Sequence, residues 1–219
     1  MKTACFIPVK ANSERVKGKN FKVLCGIPLY QRIINHAIEA NCFDDIFVDT
    51  DSEEVKQFCK TVGVSIIDRK AELAKNTANG NDLLNYWFEL YPNYDYYFQL
   101  FATAPFLQPA TINKCLNILT NGTVNDSILT VLKNNGFYWL NGTPINYRPC
   151  VLPRSQDLVP VYEETTGLYG IKNEALKKYH CRIGATPYMF EVDKFEAIDI
   201  NTETDFKIAE FIGELYWNL

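Results

Sequence analysis

Short apolar runs alternate along the chain with longer stretches in which apolar residues recur at helical spacing. The apolar runs predict strands at 4–9, 45–51, 64–67, 94–100, 127–132, 166–172, 188–192 and 197–200. The helical spacing predicts helices at 29–40, 55–62, 82–90, 109–119, 173–179 and from 202 onwards. Because strands and helices alternate, the pattern predicts an α/β fold with a mainly parallel sheet covered on both faces by helices.

One segment, at about 134–162, breaks this alternation and shows no helical periodicity. Asn-Gly pairs flank its aromatic run Phe137–Leu140, which predicts a hairpin leaving the main layer. Aromatic clusters outside a core are typical of interfaces, so we expect the chain to form a homodimer through this excursion. The alternative is that these aromatics pack on their own subunit. We otherwise expect residues 1–219 to form a single domain.

Composition narrows the classes of function. The net charge of −4 provides no extended basic field, which argues against nucleic acid as a partner. Seven scattered cysteines without a CxxC pair favour neither a disulfide framework nor a zinc site, and they indicate a reducing compartment. No leader-like segment and no apolar stretch of membrane-spanning length occur, so we expect no membrane association and a cytoplasmic protein.

A basic loop follows the first predicted strand. Its cations Lys10, Arg15, Lys17 and Lys19 lie within ten residues of one another. Ligands of open α/β sheets bind at the carboxyl ends of strands, and clustered cations with backbone N–H groups can surround a polyphosphate. The spacing matches neither the P-loop nor the dinucleotide-binding glycine motif. The alternative is a solvated basic loop, because charge runs usually face water.

Acidic residues end two other predicted strands. Asp49-Thr50-Asp51 closes the second strand, and Asp199 lies in the last one. Together with the basic loop they indicate a nucleotide–metal site, since a divalent cation bridges phosphates through one or two carboxylates. For any single one of these aspartates the alternative is a helix cap or a turn.

Six segments resemble, in the same order, the motifs of one enzyme family. They are the loop Pro8–Asn20, the turn Asp49–Asp51, the stretch Arg69–Ala78, the stretch Leu100–Pro105, the pair Arg154-Ser155-Gln156 and Gly167-Leu168-Tyr169, and the closing Asp199–Phe206. The family is that of the acylneuraminate cytidylyltransferases, with the CMP-Kdo synthetases as more distant relatives. The resemblance covers nearly the whole chain and implies a three-layer α/β/α, Rossmann-like nucleotidyltransferase fold.

The resemblance also implies a reaction and its participants. CMP would pass from CTP to the anomeric hydroxyl of a 2-keto-3-deoxy sugar acid, with release of pyrophosphate and with Mg²⁺ or Mn²⁺ as cofactor. Members of this family form homodimers whose excursions complete each other's sugar pocket. The partners expected for this chain are therefore CTP, an acidic sugar and a second copy of itself.

The matching positions assign residues to these roles. The nucleotide-binding residues implied are Lys10, Ala11, Asn12, Ser13, Arg15, Lys19, Asn20, Arg69 and Ala78, the last two near the cytosine. The sugar-binding residues implied are Phe101, Thr103, Arg154 and Gln156, and the metal ligands are Asp199 and Asn201. The catalytic residues implied are Lys10, Lys19 and Asp199. Arg154 is expected to select an acidic sugar, because a guanidinium matches a carboxylate bidentately.

The chain departs from the family pattern at four positions. Lys10 stands where Arg is usual, Glu14 where Lys is common, Phe101 where Gln contacts the sugar, and Asn201 where a second metal carboxylate is found. These departures keep two alternatives open. The first is a nucleotidyltransferase for another sugar or a sugar phosphate. The second is a weakly active nucleotide-binding homologue.

Overall fold

A computed structural model describes residues 1–13, 16–75 and 77–217 of the chain. The strands are β1 (Thr3–Val9), β2 (Val23–Leu24), β3 (Ile27–Pro28), β4 (Asp45–Thr50), β5 (Ser65–Asp68), β6 (Tyr96–Leu100), β7 (Ser127–Asn134), β8 (Trp139–Leu140), β9 (Thr143–Pro144), β10 (Val161–Lys172) and β11 (Pro187–Val192). The helices are α1 (Leu29–Ala40), α2 (Glu53–Val62), α3 (Gly80–Leu90), α4 (Pro109–Thr120), α5 (Asn173–Tyr179) and α6 (Glu203–Trp217). Single 3-10 turns cover Lys19–Phe21 and Ser155–Asp157.

Seven of the strands form one sheet in the order β11-β7-β10-β6-β1-β4-β5. All neighbouring pairs in it are parallel except those of β10, which runs antiparallel to β6 and β7. The predicted mainly parallel sheet is thereby confirmed. The parallel arrangement brings the carboxyl ends of β1, β4 and β6 to one edge, where the candidate site lies.

Helices cover both faces of the sheet, as the alternating pattern predicts. Cys5 and Ile7 of β1 join a core cluster that contains residues of α1 and α4. The alternate residues Ala4 and Phe6 join a second cluster that contains residues of α3 and α5. Because successive side chains of a strand point to opposite faces, β1 is buried on both sides between two helical layers. The α/β/α architecture is confirmed.

One predicted strand, at 197–200, is wrong. This segment lies in a turn and irregular chain after β11, outside the sheet. The buried side chain of Ile200 packs into the α1 and α4 cluster, and its backbone N–H donates to the Thr103 carbonyl at 2.8 Å. Its apolar residues therefore reflect packing against the core rather than pairing with a neighbouring strand.

The excursion does contain the predicted hairpin. Strands β8 and β9 are joined by Asn141 and Gly142, whose φ angles of 49° and 78° suit a two-residue turn that requires positive φ. Trp139 and Leu140 of β8 are exposed. Among the described residues, no helix has the length and apolar character needed to cross a bilayer.

Candidate active site

The basic loop after β1 is held in place by hydrogen bonds from its own backbone and from a buried asparagine. The Ala11 N–H donates to the Asp51 carboxylate at 2.7 Å. The side-chain amide of buried Asn20 donates to the Lys10 carbonyl at 3.0 Å, which closes the loop onto the 3-10 turn that begins at Lys19. The structure thus brings four of the predicted nucleotide-binding residues together at the carboxyl end of β1.

The remaining predicted nucleotide-binding residues of the loop differ in their exposure to solvent, and one of them is not described. Asn12 is exposed and Ser13 is half-buried, both in the segment just after Ala11. Arg15 lies outside the described residues. The assignment of this loop to the phosphates stays a prediction.

Asp49, the first residue of the acidic turn at the end of β4, is built into the core, whereas Asp51 is exposed. Asp49 is fully buried, and its two carboxylate oxygens accept from Arg69 Nε at 2.7 Å and from Trp87 Nε1 at 2.6 Å. A second guanidinium nitrogen of Arg69 donates to the Asp49 carbonyl at 3.0 Å. Both carboxylate oxygens of Asp49 are thus used in structural hydrogen bonds within the core.

The same ion pair fixes the start of the segment that leads to α3. The Arg69 side chain is only 3% exposed, so the buried pair with Asp49 anchors it beside the end of β4. Ala78 is half-buried at the other end of the segment, next to Asn79, which caps α3 in a reciprocal capping box with Asp82. That Arg69 and Ala78 lie near the cytosine of the nucleotide stays a prediction.

The two carboxylate oxygens of Asp199 have different surroundings. Its Oδ2 accepts from the Thr166 hydroxyl at 2.7 Å and from the Asn201 side-chain amide at 2.6 Å. Its Oδ1 is buried and has no hydrogen-bond partner among the described residues. Burying a carboxylate oxygen without a partner is costly, so such an atom is typical of a position that a ligand completes.

The basic loop and the Asp199 segment meet directly. Lys19 Nζ donates to the Ile200 carbonyl at 2.7 Å, next to Asp199 in the chain. The Thr103 carbonyl accepts the Ile200 N–H and holds the same segment against the loop that follows β6. The structure therefore unites Lys19, Thr103 and Asp199, which the sequence assigns to phosphate, sugar and metal.

The donor set at Asp199 fits a magnesium ion. Mg²⁺ is usually bound through one or two protein oxygens and completes its shell with water and substrate phosphates. Asp199 Oδ1 and the amide oxygen of Asn201 are two hard oxygens of this kind on adjacent side chains. Within residues 1–13, 16–75 and 77–217, no group of three or more His, Cys, Asp and Glu side chains could hold a metal.

A cavity of about 440 Å³ opens beside Asp199. The described residues that line it come from β10, from the end of β7, from the segment before α6 and from the first turn of α6: Leu132, Glu163, Glu164, Thr165, Thr166, Ala197, Asp199, Asn201 and Asp205. Phe101 follows β6, and its ring lies 6.2 Å from the ring of Tyr169 in an edge-to-face contact. Burial, and then the hydrogen bond to Glu164, raise the pKa of Tyr169, so its hydroxyl stays protonated.

Arg154 and Gln156, the two predicted sugar-binding residues of the excursion, do not line the cavity at Asp199 in this subunit. The Arg154 side chain is 74% exposed and forms an ion pair with Asp157 at 2.7 Å. Gln156 is exposed on the 3-10 turn beside it. Neither residue is among those that line the cavity at Asp199. Whether they meet a sugar stays a prediction.

Sequence reasoning missed several residues that shape the site. Thr166 was not singled out, although it precedes the recognised Gly167-Leu168-Tyr169. Glu164 and Arg182, which both contact Tyr169, were not singled out either. No periodicity or spacing marks these positions, because a β-bulge and an irregular connection bring them together. The positive φ of a β-branched residue such as Thr166 is visible only in the structure.

The fold and the site define a class, the α/β nucleotidyltransferases. The chain superposes with a TM-score of 0.73 on the structure of CMP:2-keto-3-deoxy-manno-octonic acid synthetase complexed with CTP. The superposition covers 100% of both chains at 16% sequence identity, which shows the shared fold alone. The predicted fold class is confirmed.

The family follows from the sequence as a whole. The cytidylyltransferase family model matches residues 4–207, so the chain belongs to the cytidylyltransferase family, as predicted. It is 25% identical to N-acylneuraminate cytidylyltransferase A of Danio rerio over 94% of this chain and 50% of that protein. It is 26% identical to the post-translational flagellin modification protein B of Campylobacter coli over 95% of this chain and 93% of that protein. The chain thus spans about half the length of the first of these relatives.

Proposed function

We propose that this protein transfers CMP from CTP to the anomeric hydroxyl of a 2-keto-3-deoxy sugar acid and releases pyrophosphate. The reaction forms a bond between the anomeric oxygen and the α-phosphorus of CTP and breaks the bond from that phosphorus to the pyrophosphate. Membership of the cytidylyltransferase family supports the nucleotide half of this proposal. The names of the relatives, which include N-acylneuraminate cytidylyltransferases, support the acceptor half.

The observation that carries the proposal is the buried Asp199 Oδ1, which has no hydrogen-bond partner among the described residues and lies next in the chain to Ile200, whose carbonyl accepts from Lys19. A carboxylate oxygen that is buried without a partner fits a cation, and Lys19 lies where it can face an anion. When bound, Mg²⁺ supplies charge neutralisation of the triphosphate. Asp199 and Asn201 would hold it, and Thr166 keeps the Asp199 carboxylate in one orientation.

The protein's own groups account for the remaining requirements. Lys10, Lys19 and Asn20 would hold the phosphates in the loop that the bonds to Asp51 and Lys10 fix. In-line transfer depends mainly on positioning two anionic reactants, so the hydrogen bonds that hold Lys10 and Ala11 in place would contribute directly to rate. The cavity at Asp199 is adjacent to this loop and would receive the acceptor.

We further propose that the active form is a homodimer in the cytoplasm. Apolar side chains of the excursion are strongly exposed, with Val151 and Leu152 each 72% and Val159 68% accessible. An exposed apolar cluster of this kind is typical of an interface. All seven cysteines are free thiols, which suits a reducing compartment. Sedimentation at micromolar concentration should give twice the mass of the chain, and a monomeric mass would contradict the dimer.

The experiment that tests the function measures pyrophosphate release with purified protein and Mg²⁺. CTP, UTP, ATP and GTP are each combined with a panel of sugar acids that have a 2-keto-3-deoxy carboxylate, and with neutral sugars and sugar 1-phosphates as comparison. We expect turnover only when CTP and a sugar acid are both present, and loss of turnover when EDTA removes the metal. Turnover with a sugar 1-phosphate would favour the first alternative, and CTP binding without turnover would favour the second.

A further inference from the structure

A single residue of β7 stands opposite a stretch of four residues in β10. The register of these antiparallel strands shifts between Glu164 and Tyr169, so that residues 165–168 of β10 lie opposite Thr130 alone. A regular ladder pairs residues one to one, and the surplus residues therefore form a protrusion in β10. Thr166 of the candidate site belongs to this protrusion.

The side chain of Thr130 supplies hydrogen bonds that the ladder cannot make there. Its hydroxyl oxygen accepts the Leu168 N–H at 3.2 Å and shares a hydrogen bond with the Thr165 hydroxyl at 2.7 Å. The Thr165 hydroxyl oxygen also lies 3.2 Å from the Thr130 carbonyl. Thr130 and Thr165 are only 1% and 4% exposed, so these bonds are made away from water. Both ends of the protrusion are therefore fastened to one residue of β7.

The protrusion is held on its other side by the loop that follows β6. The Gly167 carbonyl accepts the Phe101 N–H at 3.3 Å. A Cβ added to Gly167 would lie 3.1 Å from the Cβ of Ala104 and 3.6 Å from the Thr130 hydroxyl oxygen. The protrusion therefore has little freedom to shift between the two strands that flank β10.

We propose that Thr130 is a positioning residue for Asp199 and acts through Thr166. The Thr166 hydroxyl holds one oxygen of Asp199 from a backbone with a φ of 52°, a conformation that persists only while its surroundings enforce it. Thr130 is not among the described residues that line the cavity beside Asp199, so its effect on the carboxylate passes through the protrusion. The inference rests on the cation site of the proposed function and deepens it, because it names the buried hydroxyl that sets the geometry of that site.

The test removes the Thr130 hydroxyl with little change in the shape of the side chain. Thr130→Val leaves the Leu168 N–H without its acceptor, which loosens the protrusion. We expect the Mg²⁺ concentration for half-maximal pyrophosphate release to rise about 3- to 10-fold, the range expected for one lost hydrogen bond at the carboxylate. Thr130→Ser keeps the hydroxyl and should restore the wild-type dependence.

A second measurement does not depend on turnover. In the presence of CTP and without a sugar acid, Mg²⁺ should raise the melting temperature of the wild type relative to CTP with EDTA, because it binds the folded state. This rise should be smaller in Thr130→Val. The matched control is Thr3→Val, which removes another buried hydroxyl, one that donates to Asp44 at 2.8 Å at the start of β1. It should lower stability as well but leave both measures of Mg²⁺ use unchanged.

A double variant tests whether the effect passes through Thr166. In Thr166→Gly the hydroxyl that holds Asp199 is already absent, so the addition of Thr130→Val should change the half-maximal Mg²⁺ concentration by less than about twofold. If Thr130 served stability alone, its removal would have the same effect in both backgrounds.

Three outcomes would overturn the inference. They are a wild-type Mg²⁺ dependence in folded Thr130→Val, an equal additional effect in the Thr166→Gly background, and a wild type whose melting temperature does not respond to Mg²⁺ with CTP. If Thr130→Val fails to fold, Thr165→Val breaks the same pair of hydroxyls and is measured in the same way.

The proposed function fails in a different way. Absence of turnover with every sugar acid in the wild type would refute it, whereas the melting temperatures with CTP and Mg²⁺ would still decide the role of Thr130. Turnover of sugar acids with an unchanged Mg²⁺ dependence in Thr130→Val would sustain the function and overturn the inference alone.

Discussion

Thr166 holds the carboxylate of Asp199 from a backbone conformation that β-branched residues rarely adopt. Its φ is 52°, and its hydroxyl donates to Asp199 Oδ2 at 2.7 Å. The residue lies where the pairing of β10 with β7 shifts register, between Glu164 and Tyr169. A left-handed conformation at such a residue costs about 1–3 kcal/mol and persists only where the surroundings enforce it. We therefore interpret Thr166 as a positioning residue for Asp199.

This interpretation predicts that Thr166→Gly weakens the use of Mg²⁺ without lowering the stability of the protein. Glycine relieves the strain of the positive φ but removes the hydroxyl, so the melting temperature should stay equal or rise. The Mg²⁺ concentration for half-maximal pyrophosphate release should increase several-fold, on the order of one lost charged hydrogen bond. Thr166→Ser keeps the hydroxyl and serves as the matched control. An unchanged Mg²⁺ dependence in Thr166→Gly would show that the contact with Asp199 is incidental.

Asp199→Asn should abolish turnover without unfolding the protein. The change preserves the shape of the side chain but removes the charge that would bind the cation, and we expect kcat/KM to fall at least about 100-fold. Stability should not suffer, because the wild-type Oδ1 is buried without a hydrogen-bond partner among the described residues. Near-normal activity of Asp199→Asn at saturating Mg²⁺ would refute the metal assignment. Glu89→Gln, at an exposed carboxylate near the end of α3, serves as the control.

The sequence predicted the scaffold better than the side-chain geometry of the site. Helices α1 and α5 begin and end where their apolar spacing predicts, because their periodicity and boundaries are local. The contact between Lys19 and Ile200 joins residues 181 positions apart. Polar residues at predicted strand ends and the family pattern indicated that the basic loop and the Asp199 segment belong to one site, but neither indicated this contact. The strand expected around Asp199 is absent, since Ile200 is apolar for packing rather than for pairing. Arg182 carried no signal at all, because an irregular connection positions it.

Asn201→Asp should preserve activity and make turnover depend more tightly on Mg²⁺. The side-chain amide of Asn201 now donates to Asp199 Oδ2 at 2.6 Å, and a carboxylate there would add a hard anionic ligand beside the first. Without the metal the two carboxylates repel each other, so the melting temperature should fall in EDTA and recover with Mg²⁺. An inactive Asn201→Asp would show that the neutral amide has a separate role as a hydrogen-bond donor to Asp199.

Arg69→Met should cost stability rather than only nucleotide affinity. It leaves the fully buried Asp49 without its ion-pair partner, and breaking such a pair typically costs about 3–5 kcal/mol. The double variant Arg69→Met, Asp49→Asn removes the uncompensated charge and should recover part of that loss. Urea unfolding of the three proteins measures both effects. If Arg69→Met unfolds like the wild type, the pair with Asp49 contributes little and Arg69 serves the nucleotide alone.

The last prediction concerns Arg154, whose side chain forms an ion pair with Asp157 and is 74% exposed in one subunit. An exposed pair of this kind is worth at most about 1 kcal/mol, so a purely surface role would leave kinetics unchanged. We expect instead that Arg154 reaches the sugar carboxylate in the partner's site. Arg154→Lys should then raise the KM for the sugar acid far more than that for CTP, with about 2–3 kcal/mol lost in kcat/KM.

Mixed dimers test whether Arg154 acts across the interface. If one subunit's Arg154 completes the other's site, a heterodimer of Asp199→Asn and Arg154→Ala subunits contains one intact site, built from Asp199 of the second and Arg154 of the first. Random exchange of equal amounts makes about half of the dimers mixed and should restore about a quarter of the wild-type activity. If both residues serve the same subunit's site, each mixed dimer lacks an intact one. Activity no greater than the mean of the two parent homodimers would therefore place Arg154 in its own subunit's site or outside any site.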